Sequence, residues 1–251
     1  MRLATQVSGQ GPDLLLLHGW GMNLAVWQPL VETLEEEFRI TVVELPGHGA
    51  SSWDPGCRSL DHWTAAVLDA APSRAIWCGW SLGGLIAQRA AALAPERFSA
   101  LVGMATSPCF VTKPDWPWAM ETSVLERFAS ELEADQVRTL RRFLALQVQG
   151  AENSRATLQL LRTEFEARPA ARVPALRAGL DLLLGVDLRN LPEPTGVSMH
   201  WLLGGRDQLV PPALASHLPG RVRVIRGAGH APFLSHQEEC AGILREWAAN
   251  V

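Results

Sequence analysis

The sequence predicts an α/β fold with a mostly parallel central sheet, flanked by helices and interrupted by an all-helical insertion. Three observations predict it. Short apolar runs of strand length recur along the 251 residues. Segments of helical period separate most of them. The alternation stops near Met104 and resumes at Ser198. Unbroken apolar strands alternating with helices are the pattern of a parallel sheet covered on both faces.

In order, the strand-like runs are LLLL (14–17), ITVVEL (40–45), AIWCGW (75–80), ALVGMA (100–105), SMHWLLGG (198–205) and VRVIRG (222–227). LIAQRAAALA has helical period and stops at Pro95, which cannot continue a helix. Between 108 and 187 no run has strand character. There, positions 123–149 read as helix, broken at Gly150. Residues 1–107 and 188–251 are therefore expected to form the core, and 108–187 a helical cap over one sheet edge.

Hydrophobic residues make up 47% of the chain and charged residues 19%, enough apolar surface for a large core and too much for disorder. A net charge of −4 argues against general nucleic-acid binding. The longest leucine run, at 14–17, is far too short to span a bilayer, and the opening MRLATQVSGQ lacks an apolar signal core. A soluble, cytoplasmic protein is the expectation. Cys57, Cys78, Cys109 and Cys240 are scattered without metal-ligand spacing, so reduced thiols and no metal are expected.

The stretch Gly79-Trp80-Ser81-Leu82-Gly83, with Gly84 behind it, follows a strand-like run and opens a helical one. This is the setting of a nucleophile elbow, a turn so tight that side chains two residues from the serine would clash. Such a turn lifts the hydroxyl above the carboxyl edge of the sheet, where ligands bind in open α/β folds. The helix N-terminus beneath it favours negative charge. A serine hydroxyl is a weak nucleophile and needs a base oriented by a carboxylate. Asp207 and His230 each follow a strand-like run downstream of Ser81, so all three reach one sheet edge. His236 is the rival base and Asp187 the rival acid. His18 and His48 sit in glycine turns and read as structural hydrogen-bonding groups. The developing oxyanion needs N–H donors. They are the backbone amide of Leu82, next after the serine, and that of Trp20, where His18-Gly19-Trp20 leaves an early strand.

HGWGMN, VELPGHGASS, GWSLGG, PERFSALV and AGHAPF occur in that order across nearly the whole chain, and with the residues above they resemble the α/β-hydrolase superfamily. More narrowly, Trp80, ATSPCF (105–110), RFLALQ (142–147), VDLR (186–189) and HAPFLSH (230–236) are similar to motifs of the pimeloyl-[acyl-carrier protein] methyl ester esterases of biotin synthesis. The resemblance implies a monomeric serine esterase with no metal or cofactor, whose cap docks an acyl carrier protein. It also implies a substrate site lined by Trp20, Ser81, Leu82 and His230, together with Phe143, Leu144, Ala145, Leu146 and Gln147. Glu44 departs from the Asp common at its position, and Gln237 from the proline expected after His236.

Positions 138–177 hold eight arginines against Glu152, Glu164 and Glu166, a local excess of +5 in a chain of net −4. Such a surface steers an acidic partner, and an acyl carrier protein fits; a solvated cationic face is the plainer alternative. At about 100° per residue, Arg138, Arg141 and Arg142 share one helical arc, with Leu140, Phe143, Leu144 and Gln147 opposite. Arg138, Arg142 and Arg155 are the expected docking residues, Arg155 through the resemblance. Trp116 and Trp118 either bound an acyl tunnel or pack the hinge. The motifs leave open a general short-chain carboxylesterase, a lactonase, a carbon–carbon bond hydrolase, and a non-catalytic ligand-binding receptor on the same fold.

Overall fold

The apolar runs pair into one sheet in a computed structural model that describes residues 1–250. The first half contains β1 (Thr5–Ser8), β2 (Asp13–Leu17), α1 (Gln28–Leu34), β3 (Arg39–Val43), α2 (Leu60–Ala70), β4 (Ala75–Trp80), α3 (Leu82–Leu93) and β5 (Phe98–Met104). Then come α4 (Thr122–Ala134), α5 (Gln136–Gln147), α6 (Ser154–Glu166) and α7 (Val173–Gly185). The chain closes with β6 (Ser198–Gly204), β7 (Arg221–Ile225), α8 (Pro232–Ser235) and α9 (Gln237–Ala248).

The strand order is β1-β3-β2-β4-β5-β6-β7, parallel except for β1, which runs antiparallel to β3 with Thr5 opposite Val43. β1 was not among the predicted strands. Its residues, TQVS, lie mostly exposed at the sheet edge and offer one apolar side chain. Alternate residues of the inner strands enter opposite layers, as a pleated backbone requires. Leu15, Leu17 and Trp77 pack with Trp63 and Val67 of α2 and Leu85 and Ile86 of α3. Leu14, Leu16 and Cys78 pack with Leu30 and Val31 of α1 and Leu244 and Trp247 of α9.

Four helices, α4 to α7, fill the connection from β5 to β6. The stretch expected as one helix over 123–149 is two, parted at Asp135. The backbone of Asp135 is extended, and its carboxylate accepts the Arg138 N–H at 3.0 Å, capping α5. An aspartate offers the backbone this cap in place of a continuing helix. The two ends of the connection are clamped together: Cys109 bridges Asp187, which accepts from Lys113 Nζ at 2.8 Å and Arg189 Nη2 at 2.7 Å. Among the described residues no helix is long and apolar enough to cross a membrane.

Candidate active site

Ser81 forms the turn from β4 into α3 at φ 54°, ψ −120°, a region that a residue with a side chain seldom enters. The surrounding sequence makes room for it. A Cβ on Gly79 would lie 2.5 Å from the Gly83 carbonyl oxygen, one on Gly83 2.5 Å from that of Leu17, and one on Gly84 2.5 Å from Thr106 Cγ2. Two hydrogen bonds hold the turn: Ser81 N–H donates to the Met104 carbonyl at 3.0 Å, and Thr106 Oγ1 donates to the Ser81 carbonyl at 2.7 Å.

Asp207 follows β6 and His230 follows β7, and both side chains are buried. Asp207 Oδ1 accepts the amides of Leu209 and Val210 at 2.8 and 3.0 Å, while Oδ2 faces His230 Nδ1 at 2.8 Å. A carboxylate only accepts, so Nδ1 carries the ring proton and Nε2 keeps its lone pair. Nε2 is buried and meets no hydrogen-bond partner among the described residues. Trp80, the residue before Ser81, holds the histidine loop: its Nε1 donates to the His230 carbonyl at 2.7 Å. The end of α5 holds it from the other side, where His230 N–H donates to the Gln147 carbonyl at 2.9 Å. The rivals lie elsewhere. The His236 ring bonds the Ser235 hydroxyl at 2.9 Å. Asp187 is committed to the clamp, where Arg189 and then Lys113 hold its carboxyl well below the usual range.

The segment His18-Gly19-Trp20 passes beside the serine, so close that a Cβ on Gly19 would lie 3.1 Å from Ser81 Cβ. Among the described residues the Trp20 amide meets no acceptor. The Leu82 amide opens α3, where first-turn N–H groups lack intrahelical acceptors. Two buried histidines shape this loop. His18 Nε2 accepts the Leu45 N–H at 3.0 Å, with Nδ1 2.8 Å from the Gly19 carbonyl. His48 Nε2 accepts the Gly21 N–H at 3.3 Å, with Nδ1 3.0 Å from the Pro46 carbonyl. Burial lowers their pKa values to about 4 and about 3. Both rings are therefore neutral near pH 7.

Of the α5 residues, Phe143 meets Trp20 edge-on, ring centroids 4.8 Å apart. Leu144 packs in the layer that holds Trp80. Gln147 is buried with both carboxamide atoms unpaired. Ala145 and Leu146 face away, lining an outer groove of about 690 Å³ with Phe128, Arg127, Arg142 and Arg155. Arg142 pairs with Glu131 and lies 5.3 Å over the Phe128 ring. Arg138 and Arg155 are exposed. Trp116 and Trp118 line a separate cavity of about 660 Å³ with Arg189 and His217; neither Ser81 nor His230 forms part of its wall. Among the described residues no three His, Cys, Asp or Glu side chains are grouped to hold a metal ion.

Sequence reasoning did not find what Glu44 holds. The side chain is fully buried and grips Arg168, with Nε 2.6 Å from Oε1 and Nη2 3.2 Å from Oε2, between β3 and the α6–α7 connection. A carboxylate in an apolar run was the available signal; nothing local names a partner 124 residues away.

Residues 14–243 match the Alpha/beta hydrolase family. The chain is 45% identical over 241 residues to the pimeloyl-[acyl-carrier protein] methyl ester esterase of Nitrosomonas europaea, covering 93% of this chain and 94% of that one. It is 43% identical to the protein of that name from Stenotrophomonas maltophilia, covering 98% and 96%. An esterase structure from Exiguobacterium antarcticum superposes with a TM-score of 0.86 at 19% identity, covering 98% of this chain and 94% of that one, a likeness of fold. The enol-lactonase from Burkholderia xenovorans does so with 0.82 at 20% identity, covering 98% and 96%. The chain belongs to the alpha/beta hydrolase family and, within it, to the family of these pimeloyl-[acyl-carrier protein] methyl ester esterases.

Proposed function

We propose that this chain is a serine carboxylesterase that hydrolyses the methyl ester of pimeloyl-[acyl-carrier protein], giving the pimeloyl carrier and methanol in biotin synthesis. The observation that carries the reading is the buried Asp207–His230 pair, its loop held by Trp80 next to the strained Ser81, in a chain 45% identical to an esterase of that name.

Ser81 Oγ attacks the ester carbonyl as His230 Nε2 takes its proton. The unpaired, buried Nε2 supports this role, since its lone pair is not engaged elsewhere. Asp207 keeps the proton on Nδ1 and stabilises the imidazolium. The amides of Trp20 and Leu82 receive the oxyanion, assisted by the N-terminus of α3. His230 then gives that proton to the leaving methoxide oxygen as the carbon–oxygen bond breaks, releasing methanol. Water, activated by the same nitrogen, releases the acid from Ser81. Phe143, Leu144 and Gln147 form the buried side of α5 toward the core. The carrier docks on the outer side, where Arg138, Arg155 and Arg142 meet its acidic surface; the ion pair to Glu131 fixes Arg142 in place.

The test is hydrolysis of carrier-bound and free pimelate methyl ester side by side. The wild type should release one methanol per carrier-bound ester, and Ser81→Ala none above background. A preference for the free ester would refute the carrier as substrate.

A further inference from the structure

The loop bearing Trp20 is fastened to the helices of the β5–β6 connection at several points. Asn23, 3% exposed, donates through Nδ2 to the carbonyls of Glu164 and Phe165 at 3.0 and 3.2 Å, at the end of α6. Its Oδ1 accepts the Ala25 N–H at 2.9 Å and caps the short turn Leu24–Trp27. Trp20 Nε1 donates to the Leu176 carbonyl of α7 at 2.7 Å. Gly179 of α7 faces both residues whose amides flank Ser81: a Cβ there would lie 2.8 Å from Trp20 Cδ1 and 3.2 Å from Leu82 Cδ2. Gly21 abuts α5, where a Cβ would lie 2.7 Å from Leu140 Cδ2.

We infer that Asn23 is a positioning residue for oxyanion stabilisation, coupling the seating of the α4–α7 helices to the placement of the Trp20 amide. The inference rests on the proposed function, in which that amide receives the oxyanion. The last carbonyls of a helix have no intrahelical donor. One carboxamide satisfies two of them and ties α6 to the loop three residues beyond Trp20. A donor counts in catalysis only if it sits where charge develops, and small displacements forfeit much of its effect. Asn23 touches no reacting atom in this scheme. Its loss should act on the transition state and leave ground-state binding alone, lowering kcat more than it changes KM.

Two variants test this. Asn23→Ser keeps an oxygen for the Ala25 cap but lacks the carboxamide donor. Asn23→Asp keeps shape and cap but turns an acceptor toward the two carbonyls. Both are assayed on a free p-nitrophenyl ester beside wild type and Ser81→Ala, with urea melts to fix the folded fraction. In each variant that folds, kcat should fall at least ~10-fold with KM within about twofold. Affinity for an aryl trifluoromethyl ketone, which forms an anionic adduct on serine, should fall in parallel. Wild-type kcat and inhibitor affinity overturn the inference. So does a loss confined to KM or accounted for by unfolding, for then Asn23 only supports the fold. Wild-type activity in Ser81→Ala would instead overturn the proposed function, and the inference with it.

Discussion

Around Ser81, each polar side chain answers a separate demand. Asp207 decides which imidazole nitrogen of His230 carries the proton. Asp207→Asn preserves the shape but favours the wrong tautomer, so kcat on a free ester should drop by roughly 10³–10⁴ while the melting temperature barely moves. His18 and His48 must stay neutral, and this gives a pH dependence with a definite sign. Their folded pKa values, about 4 and about 3, lie below the usual 6.5. The unfolded chain therefore binds protons that the folded chain refuses. The two groups leave stability unaffected above pH 6.5 and lower it as pH falls from there toward about 4 for His18 and about 3 for His48. Each contributes up to about 1.4 kcal/mol per pH unit in that window. Urea melts across the window should show this slope, and His48→Gln should flatten it by about one proton. The Ser81 turn is legible in the sequence because strand, glycines and helix are adjacent. The meeting of Asp207 and His230 is legible because both leave parallel strands at one edge. Asn23 was not, because its partner Glu164 lies 141 residues away on a helix end that local spacing does not locate.

At the scale of elements, apolar runs announce six of the seven strands; β1 stays silent because an exposed edge needs no hydrophobic face. Asp135 shows the opposite limit. Its window has helical period on both sides, and only the capping chemistry of one carboxylate divides it. The Glu44–Arg168 pair joins β3 to the α6–α7 connection across the fold. Arg168→Ala strands a fully buried carboxylate and should cost about 2–3 kcal/mol, less than a wholly buried pair because Arg168 is 30% exposed. Arg168→Ala/Glu44→Gln removes the stranded charge and should recover part of that loss. A double variant no more stable than the single one would show that the loss does not come from an unpaired buried carboxylate.

Across the molecule, charge is unevenly divided. Arginines crowd α5 and α6 in a chain whose net charge is −4. Arg138→Glu/Arg155→Glu leaves the Arg142–Glu131 pair in place. It should lower kcat/KM for the carrier-bound ester at least ~10-fold, about 1.4 kcal/mol, and leave a free ester within roughly twofold. Added salt should bring the wild type toward the variant. Equal loss on both substrates would make these arginines structural; no loss would make them a solvated face. The fold class was legible from alternation alone, whereas the strand order depends on crossover geometry that no single segment encodes. That order has a consequence for biosynthesis. β1 to β5 leave the ribosome first, α4 to α7 follow, and β6 and β7 are laid last against the far edge. A nascent chain therefore displays its serine long before the histidine exists. In the proposed mechanism the unfinished polypeptide therefore holds a hydroxyl without its base until the final strands dock, and cleaves none of the esters around it.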